Sequence, residues 1–326
     1  MNILITTPFD DTYLEKLHQR ATVQYESWAD TFKFWRGAEL RQRLAEDQVN
    51  ILVTEVDRVT ADVLEGLQDL KMICVCRGTP SNVDIAAATE QGVIVTRTPG
   101  RNAVAVAELT IALMINVARH MNAGERAIRE NKWDRSLYFT LAGVELTDRT
   151  VGIVGLGAVG REVAKRLRCF DMRILACDPY VSQEVAASVN ADLVDLDTLM
   201  RESDFVSIHL PVTEETRGLV SAEKIALMKP TAYFINTARA ATIDEDAILE
   251  ALKEKRIAGG AFDVFGAEPV PPESPYLELD NVVMTPHIGG ATVDAITNHS
   301  RMAFQDIVDY MSGKTPTLIV NPEVEP

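Results

Sequence analysis

The chain has 326 residues, enough for two packed domains, and an ordinary composition of 47% hydrophobic and 25% charged residues. Its formal net charge is −16 at pH 7, whereas binding of a phosphate backbone needs a basic surface, so we expect no nucleic-acid partner. No apolar run reaches the roughly 18 residues of a transmembrane helix, so we expect no membrane span.

The four cysteines, Cys74, Cys76, Cys169 and Cys177, lie in apolar runs. No second cysteine pair has metal-ligand spacing, so we expect no metal site and four buried, reduced thiols. Residues 1–9 have no basic segment before their short apolar run, which is typical of a first strand rather than a signal peptide. We therefore expect a cytoplasmic protein.

In the first hundred residues, short apolar runs alternate with helical patterns. The runs predict strands at 2–6, 51–54, 72–76 and 93–96, with helices at 10–20, 37–45 and 60–66. This alternation is typical of a buried parallel sheet. A helix predicted at 102–121 is apolar nearly all round, so other elements or a second subunit must cover it.

A second strand–helix series begins at Val151. Its predicted strands are 151–154, 173–177, 205–209, 233–236, 260–263 and 282–285, followed by a helix at 292–311 and a short strand at 318–320.

The first strand of this second series runs directly into a glycine-rich loop, Gly155-Leu-Gly157-Ala-Val-Gly160, and then into a helical pattern. Gly155 permits a tight turn, Gly157 lets the backbone approach a pyrophosphate, and Gly160 lets the helix pack close to the strand. Amides at the helix N-terminus then face the phosphates. The strand, loop and helix together predict a dinucleotide site.

Asp178 ends the next predicted strand, at the distance expected of the residue that binds the adenosine ribose. Its carboxylate would repel a 2′-phosphate, and no arginine follows in Pro179-Tyr180-Val181 to receive one. NAD is therefore favoured over NADP as the cofactor. Because the glycine loop lies mid-chain, we expect the first series to form a separate substrate domain.

Three later segments follow strands of the nucleotide sheet and supply Arg239, Glu268 and His287. Arginine binds a carboxylate or a polarised carbonyl, and histidine exchanges a proton near neutral pH. A glutamate on the other ring nitrogen would fix the tautomer and favour imidazolium. Each residue alone is typical of a surface loop or turn, but the three together indicate reduction of a 2-oxo acid.

With these motifs the sequence resembles the D-isomer-specific 2-hydroxyacid dehydrogenases, a family that includes D-3-phosphoglycerate, glyoxylate/hydroxypyruvate and formate dehydrogenases. The resemblance covers essentially the whole chain. Its landmarks are the glycine loop and residues 82–84, 99–102, 106–108, 209–211, 213–218, 236–239, 263–269 and 287–292.

The resemblance implies an α/β fold of two Rossmann-like, doubly wound parallel-sheet domains. The substrate domain is discontinuous, at 1–101 and 290–326, and the NAD-binding domain spans 102–289. The family also implies a homodimer built around the nucleotide domains, which would explain the apolar helix at 102–121. It further implies that Arg239 binds substrate, Glu268 partners His287 and Asp263 contacts the nicotinamide amide.

Motifs and resemblance together predict the residues around each ligand. For the cofactor these are Gly155, Gly157, Ala158, Val159, Gly160, Asp178, His209, Leu210, Pro211, Thr216, Thr237, Ala238, Arg239, Asp263, His287 and Gly290. For the 2-oxo or 2-hydroxy acid they are Glu55, Arg77, Gly78, Thr79, Asn102, Arg239 and His287.

Three features depart from the family. The substrate loop around Gly78 and Thr79 is shorter than the common form, and Pro80 removes an amide donor. Residues 240–242 read Ala-Ala-Thr where the family more often has glycine. Glu55 stands in the segment where phosphoglycerate dehydrogenases typically carry an Arg-Ser pair, which favours a non-phosphorylated acid, although Arg58 or Arg77 could reach a phosphate there.

Several alternatives stay open at this point. Glu55 either hydrogen-bonds hydroxyls of a polar acid or is an ordinary solvated residue. The chain could instead be a D-3-phosphoglycerate dehydrogenase, an NAD-sensing corepressor-like binding protein of the same fold, or a non-catalytic Rossmann protein.

Overall fold

The computed structural model describes residues 1–325, so Pro326, the last residue assigned above to the substrate domain, lies outside the described residues. The chain forms two compact units. Unit 1 comprises Met1–Asn102 together with the segment from Thr292 onward, and unit 2 comprises Ala103–Ala291.

Unit 1 contains a five-stranded parallel sheet with helices on both faces. The strands are β1 Asn2–Ile5, β2 Thr22–Tyr25, β3 Ile51–Thr54, β4 Met72–Val75 and β5 Ile94–Arg97, in the order β2-β1-β3-β4-β5. The helices are α1 Asp11–His18, α2 Trp28–Thr31, α3 Gly37–Glu46, α4 Ala61–Leu64, α5 Ile85–Glu90 and, from the end of the chain, α14 Val293–Met311.

Burial of both sheet faces explains the continuous apolar runs of unit 1. Every residue of β3 and β4 is buried. One face packs with Leu40 and Leu44 of α3, and the other packs with Ala303 and Ile307 of α14. The C-terminal helix therefore completes the core of unit 1, as the family resemblance implies.

Unit 2 contains a seven-stranded parallel sheet. Its strands are β6 Thr150–Val154, β7 Arg173–Cys177, β8 Ala191–Leu193, β9 Phe205–Ile208, β10 Tyr233–Asn236, β11 Gly259–Phe262 and β12 Val282–Met284. Its helices are α6 Ala103–Ala118, α7 Met121–Arg129, α8 Leu137–Thr140, α9 Ala158–Leu167, α10 Gln183–Ser188, α11 Leu196–Glu202, α12 Ala222–Ile225 and α13 Glu245–Lys253. Three short 3-10 helices lie at Arg168–Phe170, Ala240–Thr242 and Pro275–Glu278.

The order of strands fixes where each unit can bind a ligand. Unit 2 has the order β12-β11-β10-β9-β6-β7-β8, so the chain reverses its direction of winding between β6 and β9. In unit 1 the reversal falls between β1 and β3. Ligands of open α/β sheets bind outside the carboxyl ends of the strands at such reversal points.

The apolar helix α6 is covered mainly by its own unit. Nine of its residues are buried, including Ile111, Met114 and Val117, and it packs against α9, β10, β11 and β12. Its all-round apolar character thus follows from burial within unit 2. The helix ends at Ala118 rather than near 121, because His120 adopts a left-handed conformation (φ 52°) and α7 begins after it.

Two edge strands were missed in the sequence, and one predicted strand was wrong. β2 and β8 lie at sheet edges, where half-exposed residues mix with apolar ones, so they lack a continuous apolar run. The predicted strand at 318–320 is instead a single antiparallel bridge between Ile319 and Thr96. The carboxylate of Asp306 accepts the N–H groups of Thr317 and Leu318, which a longer ladder would need.

The prediction of four buried cysteines was also wrong. Cys74 and Cys76 are buried, whereas Cys177 is half-buried and Cys169 is exposed in the 3-10 turn after α9. Within residues 1–325, no single helix is both long and apolar enough to cross a membrane; α6 and α7 would qualify only together, and they meet at a 66° bend.

These exposures predict the order in which the thiols react. In a native-state titration with a disulfide reagent, Cys169 reacts first and Cys177 more slowly. Cys74 and Cys76 stay protected until denaturant is added, because burial raises the pKa of Cys74 to about 12 and raises that of Cys76 as well. Loss of the fast phase in Cys169→Ser identifies it; two or more equally fast thiols would contradict the packing described.

Candidate active site

The glycine loop has the geometry of a phosphate cradle. Gly155 has φ +93°, and a Cβ there would lie 2.7 Å from the carbonyl oxygen of His209. A Cβ on Gly160 would lie 2.1 Å from the carbonyl oxygen of Gly155, so helix α9 packs directly on the loop. By contrast, nothing lies within 4 Å of a Cβ built on Gly157, which leaves that side of the backbone open to a ligand. Ala158 and Val159 form the first turn of α9.

Asp178 links the end of β7 to this loop. Its Oδ2 accepts the N–H of Leu156 at 2.8 Å, and its Oδ1 accepts the N–H of Tyr180 at 2.9 Å. These bonds fix the carboxylate beside the glycine turn while leaving lone pairs for ribose hydroxyls. The arrangement fits NAD at this end of the sheet.

His209 follows β9, directly across the reversal point from the glycine loop. Its Nε2 lies 2.9 Å from Ser207 Oγ, while its buried Nδ1 has no hydrogen-bond partner within residues 1–325. Burial lowers the pKa of His209 to about 3, so the ring is neutral at physiological pH. An unpaired buried nitrogen at this point is consistent with a site that receives a polar ligand.

The turn after His209 is stabilised by the chain itself. The Thr216 hydroxyl donates to the carbonyl oxygen of Pro211 at 2.6 Å and accepts the N–H of Thr213 at 2.8 Å. Most of its hydrogen-bonding capacity is therefore used within the turn. Leu210 is half-buried, and its Cδ2 would lie 2.9 Å from a Cβ built on Gly155.

The loop after β10 presents Arg239. Asn236 Oδ1 accepts the N–H of Ala238, and Asn236 Nδ2 donates to the carbonyl oxygen of Arg239. Thr237 Oγ1 is hydrogen-bonded to Thr110 Oγ1 of α6 at 2.8 Å. The backbone is held by these contacts, whereas the Arg239 side chain is exposed and available to an anion.

Glu268 and His287 form a hydrogen-bonded pair, with Glu268 Oε2 2.7 Å from His287 Nδ1. The other carboxylate oxygen accepts the N–H of Phe265 at 3.0 Å. With Nδ1 occupied, Nε2 of the ring is the nitrogen available to exchange a proton with a substrate oxygen.

Charge around Glu268 keeps it ionised. Partial burial alone would raise its pKa, but the hydrogen bonds from His287 and Phe265, with the charges of His287 and Arg239, hold the pKa below its usual value. Unit 2 thus brings Arg239, Glu268 and His287 together, as their sequence context predicts.

Asp263 clamps the loop that carries His287. The carboxylate is buried at the end of β11 and accepts three hydrogen bonds: from Thr285 Oγ1 at 2.6 Å, from the N–H of Ile288 at 2.9 Å and from the N–H of Gly289 at 2.8 Å. His287 itself has φ +53°, a left-handed conformation that costs energy for a residue with a side chain. Asp263 therefore holds a strained turn in place from both sides; Gly290 follows, half-buried.

The predicted substrate loop in unit 1 keeps two open donors. The N–H groups of Gly78 and Thr79 donate no hydrogen bond within residues 1–325, and they follow β4 at the carboxyl edge of the sheet. Arg77, next to them, is half-buried, as is Asn102 at the end of unit 1. The loop can therefore still bind a carboxylate although Pro80 lacks an N–H.

Glu55 is not a solvated surface residue. Its side chain is 15% exposed, forms an ion pair with Arg101 and accepts the Thr7 hydroxyl at 3.2 Å. Arg101 and its second partner, His299, were missed as candidates. The three residues come from distant parts of the chain, so sequence spacing carried no signal of the cluster.

The glycine loop at the reversal point of the second sheet, together with Arg239 and the Glu268–His287 pair, indicates a dinucleotide-dependent dehydrogenase. The family model described as "D-isomer specific 2-hydroxyacid dehydrogenase, NAD binding domain" matches residues 111–289. The chain belongs to this family and is an NAD-dependent oxidoreductase that interconverts 2-oxo acids and D-2-hydroxy acids.

Individual relatives extend the similarity beyond unit 2. The glyoxylate reductase of Thermofilum pendens is 41% identical over 86% of this chain and 84% of that protein. The D-3-phosphoglycerate dehydrogenase of Archaeoglobus fulgidus is 40% identical over 85% of this chain but only 52% of that protein. Among solved structures, the TT0316 protein of Thermus thermophilus has a TM-score of 0.87 and 33% identity, covering 98% of this chain and all of that one.

Exchange of Asp263 for Asn tests the clamp. The amide can accept on one side only and opposes the Gly289 N–H with its own N–H, so we expect a stability loss of about 2 kcal/mol and a roughly 10- to 100-fold fall in kcat. Thermal unfolding and steady-state NADH oxidation measure the two effects. Asp280→Asn, the same exchange at an exposed carboxylate, should change neither. A raised KM for NADH with unchanged stability would instead assign Asp263 to the nicotinamide alone.

Proposed function

We propose that this enzyme reduces a small, non-phosphorylated 2-oxo acid with NADH, with glyoxylate and hydroxypyruvate as representative substrates. The observation that carries the proposal is the hydrogen-bonded Glu268–His287 pair beside the exposed Arg239 at the carboxyl edge of the nucleotide sheet. Bound NADH would supply the hydride. The names of relatives such as the Thermofilum glyoxylate reductase support this substrate class.

Each side chain takes a distinct part in this proposal. Arg239 binds the carboxylate and the carbonyl oxygen through its planar guanidinium. His287 donates the proton to the oxygen as it becomes a hydroxyl, and removes it in the reverse direction. The ionised Glu268 orients the ring through its hydrogen bond to Nδ1. In unit 1, the free N–H groups of Gly78 and Thr79 are proposed as carboxylate donors.

For the cofactor, we propose that Gly155, Gly157 and Gly160 accommodate the pyrophosphate and Asp178 binds the adenosine ribose. The open side of Gly157 and the remaining lone pairs of Asp178 support this assignment. Unit 2 is accordingly the NAD-binding domain and unit 1 the substrate domain. We propose that Asp263 acts at the nicotinamide end of the cofactor site chiefly by holding the loop that carries His287.

Replacement of His287 by Ala tests the proton donor. We expect kcat for glyoxylate or hydroxypyruvate to fall about 10²- to 10⁴-fold, while NADH affinity stays within about threefold. Absorbance at 340 nm gives the rate and fluorescence titration gives the affinity. His18→Ala, at an exposed histidine of unit 1, should behave as wild type.

Two results would contradict the proposed function. A wild-type protein that binds NADH but turns over no 2-oxo acid would be a sensor of the corepressor type. A protein that prefers 3-phosphohydroxypyruvate to hydroxypyruvate would be a phosphoglycerate dehydrogenase.

We further propose a homodimer formed by the nucleotide units. An exposed apolar surface follows α6 and includes Ile128, Trp133, Tyr138 and Phe139, which are 58–82% exposed. They line or border a shallow groove of about 590 Å³. Isolated subunits rarely expose so many aromatic side chains together.

A double exchange, Trp133→Ser with Phe139→Ser, should convert the dimer into monomer, because it removes two aromatic anchors from the proposed contact. Light scattering after size-exclusion chromatography measures the mass. Tyr180→Ser, at an aromatic residue that is equally exposed outside this surface, is the control. A monomeric wild type would refute the proposal.

A further inference from the structure

Three side chains of unit 1 form a cluster that is linked by an ion pair and a hydrogen bond. Arg101 Nη2 is ion-paired with Glu55 Oε1, and Arg101 Nη1 donates to His299 Nδ1 at 3.1 Å. His299 Nε2 in turn donates to the carbonyl oxygen of Pro8 at 2.7 Å, which fixes the tautomer that accepts from Arg101. Burial lowers the pKa of His299 to about 4, so the ring adds no charge.

The cluster lies where unit 1 would bind a ligand. Thr7 follows β1 and Glu55 follows β3, the two strands between which the winding reverses, and the two side chains are hydrogen-bonded to each other. The open N–H groups of Gly78 and Thr79 follow β4, the neighbour of β3. The side chains of Arg101 and Glu55 are each 15% exposed, so the pair is not fully closed off from a small ligand.

The charges of the cluster cancel. Arg101 is positive, Glu55 is negative and His299 is neutral. An arginine has five N–H donors, and the bonds to Glu55 and His299 use two of them, so Arg101 keeps donors for a neutral oxygen. A phosphate or a second carboxylate would compete with Glu55 for the guanidinium and would be repelled by it.

We propose that Glu55 is a specificity-determining residue that acts through Arg101: it occupies the guanidinium and so excludes 2-oxo acids whose far end is anionic. This inference rests on the proposed function, in which unit 1 is the substrate domain. A hydroxyl at the far end can donate to Glu55 and accept from Arg101 without separating them. The enzyme therefore selects a neutral or hydroxylated far end.

Glu55→Gln tests the inference as a gain of activity. Glutamine keeps an oxygen that can accept from Arg101 but removes the negative charge. We expect kcat/KM for 3-phosphohydroxypyruvate, relative to hydroxypyruvate, to rise about 10- to 100-fold over wild type. The double variant Glu55→Gln with Arg101→Met should lose that gain, because it lacks the cation. An unchanged ratio in Glu55→Gln would overturn the inference.

Two controls keep the result specific. Glu65→Gln removes the same charge from an exposed ion pair with Arg41 in the same unit, and its substrate ratio should match wild type. Glu55→Asp keeps the charge but shortens the side chain, and it is the second variant should Glu55→Gln fail to fold. Its substrate ratio should lie between those of wild type and Glu55→Gln. A ratio in folded Glu55→Asp as high as that of Glu55→Gln would count against the inference, because the negative charge is retained.

Binding of inorganic phosphate separates the two proposals. Calorimetry should detect tighter phosphate binding to Glu55→Gln than to wild type, whatever the activity. If wild type reduces hydroxypyruvate and neither the ratio nor phosphate binding changes, the proposed function stands and the role of Glu55 fails. If wild type reduces no 2-oxo acid while phosphate binding still tightens, the substrate assignment fails but the blocking of Arg101 stands.

Discussion

The buried carboxylate of Asp263 holds the turn that carries His287, the proposed proton donor. It receives Thr285 on one side of His287 and the N–H groups of Ile288 and Gly289 on the other. Because β11 and β12 are adjacent and parallel, the residues after them meet at one edge of the sheet. The left-handed His287 is tolerated there because these bonds fix the backbone around it. Glu268, from the loop after β11, then needs only one hydrogen bond to orient the ring.

Paired charges recur in both units, with different consequences. In unit 2, Glu268 is bonded to His287 and leaves the Arg239 side chain exposed to bind an anion. In unit 1, Glu55 is paired with Arg101 itself, which leaves no uncompensated cation in that cluster. The first arrangement suits recognition of a carboxylate, and the second suits exclusion of a further anion. Discrimination by an unfavourable contact is a common route to specificity.

Much of the fold could be predicted from the sequence because buried parallel strands are apolar on both faces. The strands at 51–54, 173–177 and 233–236 have the predicted bounds for this reason. The glycine loop could be predicted equally well, since only glycine fits the close contacts at Gly155 and Gly160. The edge strands β2 and β8 were not predicted, because they are short and half-exposed.

The site was less fully predictable. Motif order was enough to select Arg239, Glu268 and His287, since each lies in the loop after a strand of one sheet. The clamp by Asp263 depends on hydrogen bonds to main-chain groups 25 and 26 residues away. The pairing of Glu55 with Arg101, and of Arg101 with His299, spans 46 and 198 residues. Such contacts arise from tertiary packing, and side-chain spacing along the chain does not encode them.

The most direct measurement is a crystal structure of the enzyme with NADH and oxamate, an unreactive analogue of a 2-oxo acid. We expect the oxamate carboxylate and oxo group to accept hydrogen bonds from Arg239, with the oxo oxygen also within hydrogen-bond distance of His287 Nε2. We also expect Glu268 to remain on Nδ1. Oxamate bound away from Arg239, or a His287 ring turned away from the oxo oxygen, would contradict the assignment of these residues.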